Sequence, residues 1–325
     1  MLASEILRCP KCGGELTPAA GSLVSPGCGA SFPLQDGIPL FVAADDFYEG
    51  KFVAPTQNGV GWTSGAGRFI DLCYERISST RVKHLFTKQL LKRFGPEALI
   101  LDAGCGGGNN LLAAYQTVGI DLSFAGLKSA SRIYAAVATA DARALPFADG
   151  VFDLINSWDM FGHIPVEQKD EVISEWLRVL KPGGAMLHII EADCTAPFFR
   201  LVKRDEELYR KYFVDMDGHY GLELPGDITR RFHQAGFRVE KTWSYFRAGF
   251  FPPEEYAKRL AAGTGYAESS WILKALAAFG SACSRHKQLD RVMSFGTGIL
   301  GRALNPMLPM NWGSTFFIVC RKGSS

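Results

Sequence analysis

Long runs of one charge are missing from this chain, and so is any uncharged apolar stretch able to cross a membrane. Its 35 basic and 33 acidic residues leave a net charge of +2. That balance argues against an extended nucleic-acid surface, which is normally markedly basic, while leaving room for a local patch. The uncharged run Ala303 to Cys320 is interrupted by Pro306, Pro309 and Asn311 and does not read as a spanning helix. The first residues carry no basic, apolar leader with a small-residue exit, so the expectation is a cytoplasmic chain. In that setting the 8 cysteines read as reduced thiols or metal ligands and not as a disulfide framework. At 325 residues, 47% of them hydrophobic, the chain is long for one domain and predicts a core domain with additions.

Two phosphate-binding signatures are absent as well. In Leu99-Ile100-Leu101-Asp102-Ala103-Gly104-Cys105-Gly106-Gly107-Gly108-Asn109 an apolar run ends in an acid and glycines follow. The run reads as a buried parallel strand, and the glycines let backbone approach a ligand closely before a helix begins. A nicotinamide-binding loop wants glycine first, third and sixth, but those places hold Gly104, Gly106 and Asn109. The Gly-Lys-Ser/Thr ending of a nucleotide-triphosphate loop is not there either. Downstream, Val118 to Asp121 reads as a second strand ending in an acid, 19 residues beyond Asp102. A carboxylate there suits the two hydroxyls of a ribose. Ala138 to Ala142 reads as a third strand and its exit, Phe152 to Ile155 as part of a fourth, and Ala185 to Ile190 as a fifth, entered through Lys181-Pro182-Gly183-Gly184.

In this order and spacing the motifs resemble class I methyltransferases that use S-adenosyl-L-methionine. The resemblance implies an α/β fold: a Rossmann-like seven-stranded sheet with an antiparallel final strand. It assigns the cofactor to Asp102, Gly104, Cys105, Gly106, Gly108, Asp121, Leu122, Asp141, Ala142, Ser157 and Trp158. Asp102 would help hold the methionine end, and Asp141 would face the adenine amino group with Ala142 beside the ring. Phe237–Tyr245 and Ser314–Cys320 would be the sixth and seventh strands. Asp227 is expected to cap a helix over 228–235 closed by Gly236.

Residues 7–42 resemble the small zinc-ribbon domain of methyltransferases and their activator subunits. Cys9-Pro10-Lys11-Cys12 has the spacing of a zinc knuckle. The second knuckle is incomplete: Ser25 stands where a cysteine belongs, before Cys28. The expected metal ligands are therefore Cys9, Cys12 and Cys28, an incomplete zinc site, and a neutral serine hydroxyl is a poor fourth ligand beside thiolates.

The expected organisation is a ribbon over 1–43, a segment at the cofactor entrance over 44–78, a core over 79–246 and 314–325, and a helical cap insertion over 247–313. Apolar and basic residues alternate in the insertion, which fits an annex, a dimer contact or a lid meeting a membrane surface. Methyl transfer is an in-line displacement, so the protein's work is alignment and exclusion of water, with a base only where the acceptor must lose a proton. Candidate bases are His163, on the rim after the fourth strand, and His219; Glu191 and Asp193 lie where substrate is expected, and His188 reads as buried structure. The expected acceptor is a small, apolar or lipid-like molecule. RNA is the alternative, although Asn156-Ser157-Trp158-Asp159 replaces the Asn-Pro-Pro-Tyr pattern of amino-directed nucleic-acid enzymes. A cofactor-binding regulatory protein is a further alternative.

Overall fold

The computed structural model describes residues 5–49, 79–260 and 270–324. Much of the entrance segment, 50–78, and part of the insertion, 261–269, lie outside the described residues.

Near the N-terminus, strands β1 (Thr17–Ala19), β2 (Ser22–Val24), β3 (Ser31–Gln35) and β4 (Ile38–Pro39) form an antiparallel sheet in sequential order. Gly21 and Gly37 turn the chain between neighbouring strands at φ +71° and +78°, a region that only glycine enters freely. The small sheet docks on the larger domain through backbone. Arg8 N–H donates to the Pro146 carbonyl at 2.9 Å and Phe41 N–H to that of Thr139 at 3.1 Å. Phe32 and Phe41 join the same apolar cluster as Leu101, Phe147 and Phe152.

Helix α1 (Ser79–Leu91) leads into the core, followed by β5 (Leu99–Ala103), β6 (Gln116–Asp121), α2 (Phe124–Ala130), β7 (Ala136–Thr139) and β8 (Phe152–Trp158). Then come α3 (Lys169–Val179), β9 (Leu180–Glu191), α4 (Pro197–Val202), α5 (Glu206–Tyr209), α6 (Pro225–Gln234) and β10 (Phe237–Tyr245). The insertion carries α7 (Pro253–Leu260), α8 (Trp271–Ser284) and α9 (Lys287–Leu304), and β11 (Thr315–Lys322) closes the fold. The sheet order is β10-β11-β9-β8-β5-β6-β7, with β11 antiparallel to both its neighbours. The chain runs from β5 outward to β7 and returns to β8 beside β5. That reversal opens a crevice at the carboxyl ends of β5 and β8, where α/β sheets bind ligands.

Three local expectations need correction. No helix follows the glycine loop: residues 109–115 form successive turns, with Leu112 N–H donating to Asn109 and Tyr115 N–H to Leu112. Only a dozen residues join β5 to β6, near the lower limit for a crossover that contains a helix, and the glycine loop takes the first of them. Asp227 is not the cap of α6, which starts at Pro225 after Leu224; it sits in the first turn and binds Arg230 at 2.7 Å. Proline suits a first helical position because its missing N–H is not needed there. Finally, the fifth core strand starts before Ala185: α3 stops at Val179, and β9 begins at Leu180 with an irregular stretch, Lys181 to Gly184, that has Gly183 at φ +73°. A residue before proline is pushed out of helical geometry, so Lys181 cannot continue the helix.

The two additions after the fifth and sixth core strands pack on each other. Phe199, Leu208 and Phe213 share one cluster with Tyr256, Leu260 and Leu273. Gly280 lets α8 lie against α7, since a Cβ there would come within 2.5 Å of the Pro253 carbonyl oxygen. Outward, the insertion leaves Trp271 77% and Met307 79% exposed, with Ile272, Leu289, Val292, Ile299 and Leu300 also exposed.

Candidate active site

A cavity of about 550 Å³ occupies the crevice, a size in the range of cofactor pockets. It is lined by Asp102, Gly104, Cys105, Gly106, Gly108, Asp121, Leu122, Asp141, Ala142 and Trp158, and by Asp45 and Tyr48 from the described part of the entrance segment. Ser157 is not among the lining residues: it is fully buried, and alternation along β8 turns it away from the face shared by Asn156 and Trp158. The Cys105 thiol lines the cavity, and burial pushes its pKa well up, so it is an inert thiol.

Asp102, 3% exposed near the end of β5, does not face the cavity as a free carboxylate. Its Oδ1 accepts from Asn156 Nδ2 and its Oδ2 from the Tyr134 hydroxyl, both at 2.6 Å. Tyr134 in turn accepts the Asn109 backbone N–H at 2.6 Å. Asn109, the residue in place of the sixth-position glycine, is therefore tied to Asp102 through one phenol. Burial raises Asp102 to about 6 against the pull of those hydrogen bonds.

Asp121 holds the loop itself. Its Oδ2 accepts from Gly106 N–H at 2.7 Å and its Oδ1 from Ser123 N–H at 2.8 Å, and burial raises its pKa. Ser123 Oγ caps α2 by accepting from Gly126 N–H at 3.0 Å. Glu49 adds its carboxylate to the same helix start, accepting from Phe124 N–H at 2.6 Å. Asp141 is engaged by Arg143 through Nη2 at 2.5 Å and Nε at 3.0 Å. Burial would raise its pKa, but the Arg143 guanidinium and backbone outweigh that and hold it below the usual range. Gly104 has no room for a side chain, since a Cβ would lie 2.8 Å from Met160.

These features fit the cofactor that the resemblance implies. The cavity wall is acidic at Asp102 and Asp121, and Asn109 Nδ2 and Asn156 Oδ1 are buried there without hydrogen-bond partners among the described residues. Such polar atoms are normally satisfied, and a ligand with amino, carboxylate and hydroxyl groups would satisfy them.

The rim beyond β8 is more crowded. Asp159 takes φ +54°, unusual for a residue with a side chain, and pairs with Lys83. A 3₁₀ turn, Phe161–His163, follows; Phe161 anchors it among Trp176, His188 and Phe232. His188 is fully buried in that aromatic cluster, as expected, and burial lowers it to about 3. His163 lines the cavity, and its Nδ1 lies 3.0 Å from the Gly218 carbonyl. A carbonyl only accepts, so Nδ1 carries the hydrogen and Nε2 keeps the lone pair. His219 lies beside it, with ring centroids 5.0 Å apart and the rings tilted by 57°. Burial lowers His163, and burial together with His163 lowers His219 to about 4. The structure thus brings the two candidate bases together and adds Glu191 from the end of β9. Asp193 does not join them: it pairs with Lys203.

One residue that sequence reasoning missed organises this rim. Lys169 is fully buried and lies 2.9 Å from Glu223, over the Phe161 ring at 4.1 Å, and against the Gly221 carbonyl. It fastens the segment bearing His219 to the core. No sequence signal distinguished it, because a lysine at a helix start ordinarily points to water.

In the N-terminal sheet the Cys9, Cys12 and Cys28 thiols lie within 4.8 Å of one another. Ser25 Oγ sits 3.4 Å from Cys12 Sγ, in the fourth place, and is buried. Hydrogen bonding, from Ser25 first, lowers Cys28 to about 7. This donor set fits zinc through its three thiols; a bound zinc would tie the knuckle around Gly13 to the loop at Cys28.

Residues 100–184 match the family described as "Methyltransferase domain", and residues 3–37 match "Trm112p-like protein". The fold and these matches make the core a class I methyltransferase domain, the S-adenosylmethionine-dependent kind, behind a Trm112p-like ribbon. Among its relatives is 2-methyl-6-phytyl-1,4-hydroquinone methyltransferase of Synechocystis sp., 36% identical over 102 residues, 28% of this chain and 31% of that protein. Another is the ubiquinone/menaquinone biosynthesis C-methyltransferase UbiE of Pseudomonas putida, 39% identical over 79 residues, 24% of this chain and 29% of that one. The chain thus spans less than a third of the length of these two relatives. UbiE of Geobacter sulfurreducens is 29% identical over 60% of this chain and 75% of its own. Of solved structures, phosphoethanolamine N-methyltransferase 2 of Haemonchus contortus is 20% identical with a TM-score of 0.49, covering 90% of this chain and 62% of that one.

Proposed function

We propose that this chain transfers a methyl group from S-adenosyl-L-methionine to a small, lipid-like acceptor of the hydroquinone kind. The observation that carries the reading is the two-ended cavity. One end is the glycine loop with Asp102 and Asp121; the other is an apolar rim of Met160, Ile164, Pro165 and Val172 beside His163. The names of the hydroquinone and quinone methyltransferases among the relatives support the acceptor class.

S-adenosylmethionine, when bound, supplies a methyl group activated on a positively charged sulfur. Asp102, held by Tyr134 and Asn156, meets the amino-acid end, and Asp121 the ribose. Asp141 and Ala142 border the adenine, and Gly104 to Gly108 give the backbone its close approach. Trp158 closes one wall, while Ser157 supports the strand from behind. His163 Nε2 accepts the proton of an acceptor hydroxyl, with His219 packed beside it. The neutral overall charge and apolar rim favour such an acceptor over RNA. On this reading the protein works in the cytoplasm and is organised as a ribbon (1–43), an entrance segment (44–78), a core (79–246 and 314–325) and a cap (247–313).

The test is release of S-adenosylhomocysteine from the full-length protein, with prenylated hydroquinones, short-chain phenols and total RNA as parallel acceptors. Turnover with the hydroquinones and not with RNA is expected. Turnover with RNA alone would replace the acceptor assignment.

A further inference from the structure

We propose that His163, Glu191 and His219 form a binding site for a divalent first-row transition ion at the acceptor end of the cavity. Each residue offers one ligand atom, and these atoms lie within 4.8 Å of one another. Donors around one such ion sit about 3–4 Å apart, given bonds of about 2.1 Å, so a side-chain adjustment of about 1 Å closes the set. Three chain segments far apart in sequence supply the ligands: the turn after β8, the end of β9 and the segment before α6. Two imidazoles and one carboxylate are the donor set of open transition-metal sites, which leave positions for substrate oxygen.

Two further observations point the same way. His163 gives its Nδ1 hydrogen to the Gly218 carbonyl at 3.0 Å, the second contact that metal-binding histidines usually make, and this aims the lone pair of Nε2 elsewhere. Glu191 Oε2 is buried with no donor among the described residues. Lys83, the nearby cation, is committed to Asp159. Glu191 also lies against the Asp159 carboxyl, and an ion there would offset the crowding of two buried acids. Gly162 lets this turn pack closely on the end of β9, since a Cβ there would lie 3.2 Å from the Glu191 carbonyl oxygen.

The inference rests on the methyltransferase reading for its purpose and changes the part of His163 within it. The ion would bind the acceptor's hydroxyl oxygen and lower its proton affinity. His163 then serves as a ligand, the hydroxyl proton leaves to solvent on binding, and the methyl passes from the sulfonium to the acceptor as S-adenosylhomocysteine forms.

Co²⁺ is the probe. Full-length protein is titrated with Co²⁺ and read by visible absorption, alongside S-adenosylhomocysteine calorimetry on the same samples. A nitrogen–oxygen site gives d–d bands without the intense thiolate-to-cobalt transitions that the three cysteines would produce. The expected result is one such site in the wild type and in Cys9→Ser. Glu191→Gln and His219→Ala should each weaken it by roughly tenfold or more while retaining S-adenosylhomocysteine binding. If only thiolate bands appear up to ~1 mM Co²⁺, or if both variants bind as the wild type does, the site does not exist. Co²⁺ binding without S-adenosylhomocysteine binding would keep the ion site and remove the methyltransferase reading instead.

Discussion

The Tyr134 hydroxyl donates to Asp102 Oδ2 at 2.6 Å while accepting the Asn109 backbone N–H at the same distance. One phenol thus couples the acid at the end of β5 to the far end of the glycine loop. Tyr134→Phe removes the link and leaves two buried polar groups without this partner. The expected cost is about 1–3 kcal/mol of stability, measured by urea unfolding. S-adenosylhomocysteine binding should weaken by roughly tenfold, the equivalent of about 1.4 kcal/mol, because the loop loses its tether.

Asp102 also predicts a pH dependence. Its pKa of about 6 in the fold lies above the usual carboxylate value. The folded state therefore binds more protons than the unfolded chain between about pH 4 and 6, and this group's contribution to stability falls as pH rises through that window. Fully expressed, that elevation is worth about 3 kcal/mol at most. Asp102→Asn should recover part of this, so variant and wild type should converge at low pH and diverge above pH 6. An amino-acid ligand carrying an ammonium would favour the ionised carboxylate. Binding of S-adenosylhomocysteine near pH 6 should therefore release protons, seen as a binding heat that changes with buffer ionisation enthalpy.

The core strands and the acids at positions 102, 121 and 141 were legible because a buried parallel sheet writes apolar runs punctuated by acids and glycines, while the antiparallel last strand came from the family resemblance. Local signals also predicted β10 and β11. What failed was local competition: proline at 225 started α6 earlier than the Asp227 cap implied, and the glycine loop took the first part of the short β5–β6 connection, which formed turns and no helix. What escaped altogether was long-range. Tyr134 sits 32 residues from Asp102 in sequence, and Lys169 is 52 residues from Gly221. Neither pair has a spacing that periodicity detects, and the meeting of His163, Glu191 and His219 is likewise a product of topology.

Lys169→Met should be severe for its size. The buried ammonium joins Glu223, the Gly221 carbonyl and the Phe161 ring, and breaking such a pair costs about 3–5 kcal/mol. Arg231 still holds Glu223 at 2.7 Å, which favours the lower figure. Gly221→Ala should act on the same junction, since a Cβ there would come within 1.7 Å of the Ile164 carbonyl oxygen. Both variants are read by thermal melting.

If the insertion meets membranes to reach a lipid-like acceptor, its exposed apolar residues do the work. Trp271→Ser should leave stability within about 0.5 kcal/mol, as surface changes usually do, yet reduce co-sedimentation with anionic vesicles at low salt. Wild-type protein that stays in the supernatant under those conditions would remove the membrane contact.

The ribbon predicts about one zinc per chain in protein purified without chelator. Less than about a tenth of an equivalent would mean that Ser25 ended metal binding.

The most direct measurement is calorimetric titration of full-length protein with S-adenosylhomocysteine, wild type against Asp121→Ala. The account predicts a single site of roughly micromolar affinity, weakened at least tenfold in the variant because Asp121 both faces the cavity and holds Gly106. No binding heat up to ~1 mM ligand, or equal binding by the two proteins, would contradict it.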